Sequence, residues 1–192
     1  MHDLTAVHTL IVIDNPKPSS FTHAAAARFA DGLKAAGHSS EFADLHAEGF
    51  SPIWTVEDDD APPADVLKEQ ARIEKADAMC LAFPLYWFGM PAMMKGWIDR
   101  VWSWGWAYDQ LDDPTLSLQR NRPATLLIPA GGNPEGWKDR GYVEAMDTIW
   151  RGGTLGYFGM KDADIQILGG SEGSDERRAG LLQRAYDLGA AY

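Results

Sequence analysis

Two segments of the chain carry groups suited to holding a phosphorylated aromatic ligand. The hydroxyl groups of Ser19, Ser20 and Thr22 stand at the start of a predicted helix. Free backbone N–H groups and the positive end of the helix dipole attract phosphate there, although an ordinary serine N-cap explains the same pattern. The second segment, residues 83–91, has the sequence FPLYWFGMP. Its aromatic side chains and backbone polar groups suit the face and edge of a flat heteroaromatic ring, and burial against a partner subunit is the alternative.

Paired glycines, Gly131 and Gly132, form a third segment, because residues without a Cβ let the backbone approach a ligand closely. The loop after the first predicted strand contains neither G-x-G-x-x-G nor a Walker pattern. These absences argue against a Rossmann dinucleotide site and against a P-loop NTPase. No metal site is expected.

Alternating strands and helices predict the framework that positions these segments. Apolar or alternating runs predict strands at 7–13, 40–45, 78–83, 124–128 and 163–168. Helices are predicted at about 21–36, 64–76, 91–102, 141–158 and 175–188. This order is typical of an α/β doubly wound parallel sheet with helices on both faces. Five strands favour the order 2-1-3-4-5 in one domain spanning residues 1–192, with the ligand site beyond the carboxyl ends of the strands.

Composition excludes several classes of function. The chain has 192 residues and a net charge of −11, from 28 acidic and 17 basic residues. Such a surface repels nucleic acid and anionic membranes. No run approaches a membrane span, and the first residues lack the pattern of a secretory signal. The single cysteine, Cys80, lies in an apolar run and is expected to be a buried structural thiol, which favours a cytoplasmic protein.

The segment at 83–100, FPLYWFGMPAMMKGWIDR, closely resembles the hallmark of the NAD(P)H:quinone oxidoreductase family, which includes DT-diaphorase and its bacterial relatives. The resemblance extends over nearly the whole chain. Further matching segments are Asn15-Pro16, Ser20-Phe21-Thr22, residues 44–52, Glu69-Gln70, Trp106-Ala107-Tyr108, Gly131-Gly132 and residues 153–160. The family has a flavodoxin-like fold, which agrees with the strand order expected above.

The resemblance implies a homodimeric flavoenzyme that passes a hydride from NAD(P)H through bound flavin to a quinone-like acceptor, with azo or nitro compounds as other acceptors. The residues that it implies for cofactor binding are Asn15, Ser20, Phe21, Thr22, Gln70, Pro84, Leu85, Tyr86, Trp87, Phe88, Gly131, Gly132, Trp137 and Arg177. Those that it implies for the substrate pocket are Phe88, Trp106, Tyr108, Tyr142 and Phe158, with Tyr108 as the catalytic candidate.

FAD is expected rather than FMN, because FAD-binding members of the family place an arginine near the adenine. Arg177 or its neighbour Arg178 falls at about that position. The sequence leaves open whether NADH or NADPH is the electron donor and which compound is the physiological acceptor.

The sequence departs from the family pattern at several positions. Asn15 stands where many relatives have histidine, and Pro129-Ala130 replace two threonines. Trp137 occupies the place of a tyrosine. The histidine that protonates reduced flavin in the animal enzymes has no counterpart, because no histidine follows His46. The sequence therefore does not identify the residue that protonates the flavin. Arg140 and Tyr142 lie nearby in sequence, but neither is an established substitute.

A wide apolar helix face predicts a dimer whose active sites are partly walled by the neighbouring chain. That face consists of Met93, Met94, Trp97, Ile98, Val101 and Trp102. A stripe of this kind is by default core or dimer interface, and exposed apolar patches of this size usually mark an interface. Two other hypotheses remain at this stage: a flavin-binding regulatory subunit of a membrane transporter and a flavodoxin-type electron carrier. The aromatic cluster at Trp104, Trp106 and Tyr108 argues against the carrier, which needs no substrate pocket.

Overall fold

A parallel sheet of five strands organises the described part of the chain, which in this computed structural model comprises residues 6–56, 61–109 and 117–192. The strands are β1 (His8–Ile13), β2 (Ser39–Asp44), β3 (Ala78–Ala82), β4 (Ala124–Ala130) and β5 (Ala163–Gly169). Their order is β2-β1-β3-β4-β5, and every neighbouring pair is parallel. The expected α/β flavodoxin-like fold and strand order are confirmed.

Helices cover both faces of the sheet. They are α1 (Phe21–Ala35), α2 (Ala64–Lys75), α3 (Ala92–Val101), α4 (Pro134–Lys138), α5 (Tyr142–Asp147), a π-helix (Thr148–Gly156) and α6 (Asp175–Ala190). The side chains of β1 alternate between the layers, because successive strand residues point to opposite faces. Ile11 and Ile13 pack with α1, whereas Leu10 and Val12 pack with residues of α2, α3 and the π-helix.

The central strands are buried on both faces, as their continuous apolar runs predict. Every residue of β3 and of β4 is buried. Cys80 of β3 is fully buried, and burial raises the pKa of its thiol, which keeps it protonated and unreactive. The expectation of a structural cysteine is confirmed.

The helix predicted at 141–158 is instead α5 followed by the π-helix. Gly152, Gly153 and Gly156 lower the preference for regular α-helix in this segment, and the Thr154 hydroxyl bonds to the carbonyl of Ile149, five residues earlier. The short α4 was not predicted. It begins with Asn133 as its cap and Pro134 at its first position.

The apolar face of α3 packs inside the chain, so its predicted role as a dimer face is wrong. Met94, Trp97 and Val101 are fully buried in the larger core cluster. The Trp97 indole N–H donates to Glu69 of α2 at 3.0 Å, and Trp102 stacks on Phe158 with ring centroids 4.0 Å apart. The π-helix and α2 cover the apolar face of α3. The sequence of α3 alone cannot show this cover, so its many apolar residues suggest a partner chain instead.

No helix among residues 6–56, 61–109 and 117–192 is long and apolar enough to cross a bilayer.

Close contact between α1 and α6 fixes the position of the α1 start. A Cβ added at Gly189 of α6 would lie 2.1 Å from the carbonyl oxygen of Phe29, and one added at Gly32 of α1 would lie 2.1 Å from the carbonyl oxygen of Tyr186. Both positions therefore require glycine, since no side-chain rotation relieves a clash with backbone.

We expect Gly189→Ala to lower the free energy of unfolding by about 1–3 kcal/mol, because the two helices must separate to admit the methyl group. Gly180→Ala, in the same helix with nothing within 4 Å of its added Cβ, is the matched control and should raise stability by about 0.5–1 kcal/mol. Urea denaturation measures both values, and equal effects of the two substitutions would contradict the contact.

Candidate active site

A cleft of about 490 Å³ opens at the carboxyl edge of the sheet. Its walls come from the loops after β1, β3, β4 and β5, as the fold class predicts for a ligand site. The lining residues are Asn15, Pro16, Lys17, Ser19, Ser20, Phe21, Thr22, Pro84, Leu85, Tyr86, Pro129, Gly131, Ser171, Glu172 and Arg178. A second cavity of about 210 Å³ shares Leu85 and Gly131 with the cleft and adds Trp87, Phe88, Ala130, Gly132 and Trp137.

The loop between β1 and α1 forms one end of the cleft. Asn15 shapes it, because its amide accepts a hydrogen bond from the N–H of Lys17 at 3.0 Å and donates to the Thr22 hydroxyl at 3.2 Å. Ser20 is the N-cap of α1 and accepts from the N–H of His23 at 3.3 Å. The next N–H groups, of Phe21 and Thr22, belong to the first helical turn, which provides no intrahelical partner for them. This end of the cleft suits an anion.

A buried carboxylate anchors the start of α3. Asp14, at the end of β1, is 2% exposed. Its Oδ2 accepts a hydrogen bond from the Met94 N–H at 2.8 Å, and its Oδ1 lies 2.9 Å from Nε2 of His46. Negative charge at a helix N-terminus is favourable, both for the dipole and for the free N–H groups. Our sequence reasoning missed this residue, although an acidic side chain directly after a buried apolar strand is a usable signal.

The turn between β3 and α3 presents two aromatic side chains in a strained conformation. Tyr86 and Gly89 exchange backbone hydrogen bonds of 3.2 and 2.9 Å, and the two residues between them have positive φ angles, 50° at Trp87 and 58° at Phe88. Bulky residues rarely adopt this region. The Trp87 side chain is 99% exposed. Strain of this kind persists where the surroundings impose it and occurs often at functional sites.

Aromatic rings and paired glycines form the second cavity, which adjoins the cleft. The Phe88 ring lies 5.3 Å from Trp137 and 4.9 Å from Tyr142, measured between centroids. A Cβ at Gly132 would lie 2.4 Å from the Trp137 ring. Glycine is therefore required at this position, and its backbone stays accessible beside the rings.

Two predicted cofactor residues lie away from the cleft. Gln70 is buried, and its amide donates to the carbonyl of Val101 at 2.9 Å and to the Ser103 hydroxyl at 3.1 Å. The Arg177 guanidinium donates twice to the carbonyl of Gly169, at 3.1 and 2.7 Å. Neither side chain is among the lining residues, so this chain alone does not bring them to the site.

Arg178 lines the cleft in place of Arg177. Its guanidinium lies 4.9 Å from the centroid of the Phe21 ring and donates to the carbonyl of Ser171 at 2.8 Å. Adjacent helical residues point about 100° apart, so a shift of one residue along the sequence moves the arginine to another face of α6.

Two other predicted substrate residues, Tyr108 and Phe158, line a different cavity, of about 340 Å³. Its lining residues are Lys95, Ile98, Asp99, Trp102, Ala107, Tyr108, Gly153, Thr154, Tyr157 and Phe158. It shares no residue with the cleft. Its walls come from α3, from the segment that follows α3 and from the end of the π-helix with the residues after it. Trp106 lies beside Phe158, at 5.9 Å between centroids, and its indole N–H donates to Glu74. Tyr108, the catalytic candidate, is thus separated from Phe88 and Tyr142 within one chain.

The model of the Flavodoxin_2 family, described as a flavodoxin-like fold, matches residues 7–190. The chain belongs to this family. A Haemophilus influenzae protein named an uncharacterized NAD(P)H oxidoreductase is 30% identical over 166 residues, which are 83% of this chain and 82% of that protein. NAD(P)H dehydrogenase (quinone) 1 of Cavia porcellus is 28% identical over 183 residues, 82% of this chain and 66% of that protein.

Among solved structures, the fold of this Flavodoxin_2 member is similar to an NAD(P)H:quinone oxidoreductase from Methanothermobacter marburgensis. The TM-score is 0.89 at 32% sequence identity, covering 97% of this chain and 98% of that chain. The family resemblance recognised in the sequence is confirmed.

We expect Trp87→Asn to raise the free energy of unfolding of the ligand-free protein by about 0.5–1.5 kcal/mol, because asparagine tolerates positive φ better than tryptophan does. Trp104→Asn is the control, since Trp104 is also exposed but has no positive φ, and it should bring no gain. Urea denaturation gives both values. A destabilised Trp87→Asn protein would show that the turn is not strained.

Proposed function

We propose that this chain is an NAD(P)H-dependent flavoprotein oxidoreductase that reduces quinones by two electrons. The observation that carries the proposal is a pair of cavities that share Leu85 and Gly131: an anion-binding helix start lines the first, and a strained aromatic turn and a glycine pair line the second. The relatives named as NAD(P)H oxidoreductases and quinone dehydrogenases support the same reaction. Quinones are the proposed acceptors, and azo or nitro compounds are further candidates of similar redox chemistry.

The residues of the cleft fit a flavin. Ser20 and the N–H groups of Phe21 and Thr22 would bind its phosphate groups. The backbone of residues 84–88 and of the two glycines would contact the polar edge of its ring system. The absence of a Cβ at Gly132 lets the Trp137 ring pack directly against the backbone, and this ring would form a wall beside the flat ring system. Bound flavin would supply the hydride chemistry itself.

The protein side chains position the reactants and exclude water. Trp87, Phe88 and Trp137 would form apolar walls beside the ring, where low polarity strengthens each hydrogen bond to it. Asp14 holds the beginning of α3 and thereby the aromatic turn that precedes it. Tyr142 is an ionisable side chain that the structure brings against Phe88, which makes its hydroxyl the candidate for proton transfer in place of the family histidine.

FAD rather than FMN is the proposed cofactor. The cleft extends from the aromatic turn to Arg178, whose guanidinium lies against the Phe21 ring. A guanidinium stacked on an aromatic ring is a suitable neighbour for a second heteroaromatic ring such as adenine.

A homodimer is the proposed working unit. The Tyr108 and Phe158 cavity and the cleft are separate in one chain, so a partner must bring the second aromatic wall if both act on one substrate. Trp87 at 99% and Trp104 at 58% exposure are the apolar side chains best placed for such an interface. Twofold symmetry would give two identical sites, each shared between chains.

The transporter-subunit hypothesis and the carrier hypothesis require flavin without rapid turnover of NAD(P)H. The cavity beside Tyr108 argues against the carrier. A cytoplasmic location is proposed from the single buried thiol, which suits a reducing compartment.

The purified protein should be yellow, release FAD on heating and oxidise NADH or NADPH rapidly when menadione is present. Absorbance spectra, mass spectrometry of the released cofactor and the NAD(P)H absorbance test these three points. Release of FMN alone would correct the cofactor. Bound flavin without menadione-dependent turnover would favour the sensor or carrier, and a protein that takes up no added flavin would overturn the proposal.

Mixing two impaired variants tests the shared site. Tyr108→Ala damages one wall, and Gly132→Val displaces the Trp137 ring, from which an added Cβ would lie only 2.4 Å away. Co-expressed at equal levels, they should regain about a quarter of wild-type turnover, because half of the random dimers are mixed and each mixed dimer holds one intact site. No recovery, or a fully active monomer by light scattering, would show that the site lies within one chain.

A further inference from the structure

We propose that His23 and Asp44 are positioning residues that set the direction of the Ser20 hydroxyl and thereby couple phosphate binding in the cleft to the uptake of one proton. The inference rests on the proposed function only in requiring that the ligand carries a phosphate. It concerns a side chain, His23, that lies next to the cleft but is not among its lining residues.

Three side chains form a chain of hydrogen bonds behind the anion-binding loop. The Ser20 hydroxyl oxygen lies 2.8 Å from Nδ1 of His23, and Nε2 of His23 lies 2.9 Å from Oδ2 of Asp44 at the end of β2. The side chains of His23 and Asp44 are only 16% and 23% exposed. The imidazole therefore has both nitrogens engaged, one toward the cleft and one toward a carboxylate.

Asp44 fixes which nitrogen of His23 carries a proton. Partial burial would raise the pKa of this carboxyl, but hydrogen bonds from His23 and from the Ala47 N–H outweigh that effect and hold the pKa below its ordinary value. Asp44 is therefore ionised throughout the range in which imidazoles titrate. A carboxylate only accepts hydrogen bonds, so Nε2 carries a proton in both charge states of the ring.

With a neutral ring, the Ser20 hydroxyl faces the cleft as an acceptor. Nδ1 is then bare and must receive the hydroxyl proton of Ser20. One oxygen lone pair of Ser20 accepts the His23 N–H, and the other remains toward the cleft. Phosphate oxygens also only accept, so this arrangement offers a phosphate no hydrogen bond. If the hydroxyl turned toward the phosphate, two lone pairs would be left facing each other across 2.8 Å.

With a protonated ring, the same hydroxyl becomes a donor. Nδ1–H now donates to Ser20, whose two lone pairs are both occupied by His23. Its O–H is then free to donate to a phosphate oxygen, and a hydrogen bond to a charged acceptor is stronger than one between neutral groups. Phosphate binding thus favours the protonated ring, and by linkage the affinity for phosphate falls as the pH rises and this proton is lost.

Other charged groups lie around the cleft. Lys17, Glu172 and Arg178 line it, but the two ring nitrogens of His23 contact Ser20 and Asp44 instead. The other nearby imidazole, His46, contacts Asp14. His46 is therefore the rival source of a pH effect, and the test must separate it from His23.

The experiment is titration calorimetry of FAD binding to the flavin-stripped protein at neutral pH, in buffers of different ionisation enthalpy. FAD is the probe because its pyrophosphate lacks the second ionisation of a phosphate monoester, at about pH 6. We expect the wild-type protein to take up a measurable fraction of a proton per FAD bound. Its affinity should fall by up to about tenfold per pH unit across the imidazole range.

Variants assign the proton. Ser20→Ala and His23→Gln should both bind FAD without proton uptake, whereas Ser20→Thr, which retains a hydroxyl and an N-cap, should keep it. His46→Gln should also keep it. Circular dichroism must show native helix content in each variant, because loss of the cap alone costs about 1 kcal/mol.

Other results would contradict the proposal, each for a different reason. Proton uptake that persists in Ser20→Ala would show that charge attraction alone acts, which overturns the hydroxyl mechanism. Uptake lost only in His46→Gln would assign the effect to the Asp14 contact and overturn it as well. A wild-type protein that binds FAD without uptake sinks this inference alone, whereas one that binds no FAD at any pH also removes the proposed function.

Discussion

The buried carboxylate of Asp14 is the interaction on which the arrangement of the cleft depends. It accepts the Met94 N–H from α3 and contacts His46 after β2, while its own N–H donates to the carbonyl of Ala82 in β3. One residue thus ties together the carboxyl ends of three neighbouring strands. A buried charge without partners would cost several kcal/mol, so these contacts must form together. They fix where α3 begins, and with it the strained turn that presents Trp87 and Phe88.

A second constraint acts from the opposite face of the sheet. Backbone contact at Gly32 and Gly189 holds α1 against α6, so the anion-binding start of α1 and the start of α6 with Arg178 keep a fixed separation. The two ends of the cleft are therefore positioned by different layers: α1 and α6 hold the phosphate end, and α3 with the loop after β4 holds the aromatic end.

Contacts between aspartates and histidines, and not an excess of basic residues, decide which groups of the cleft face the ligand. The chain carries a net charge of −11, yet the proposed ligand is itself an anion. Of the acidic groups near the cleft, Glu172 lines it, whereas Asp14 and Asp44 lie behind it and are both engaged by histidines. This pairing leaves the helix N-terminus and the Ser20 hydroxyl to face the ligand. In the hydrogen-bonded chain of Ser20, His23 and Asp44, the charge of the partly buried His23 ring decides whether the Ser20 hydroxyl donates or accepts toward the cleft.

The sequence by itself determined the fold class, the strand order and the three loops that meet at the cleft. Continuous apolar runs mark buried strands, and in a parallel sheet the loops after β1, β3 and β4 must share one edge, so these features follow from local pattern and topology. Tertiary structure alone decided the remaining points. Whether Met94 and Trp97 face a partner or the core depends on α2 and the π-helix, which are distant in sequence. The choice between Arg177 and Arg178 depends on the rotation of α6, and the partners of Gln70, Asp14 and His23 lie 31, 80 and 21 residues away. Hydrogen bonds across such separations are set by packing geometry, which no local pattern of residue types encodes.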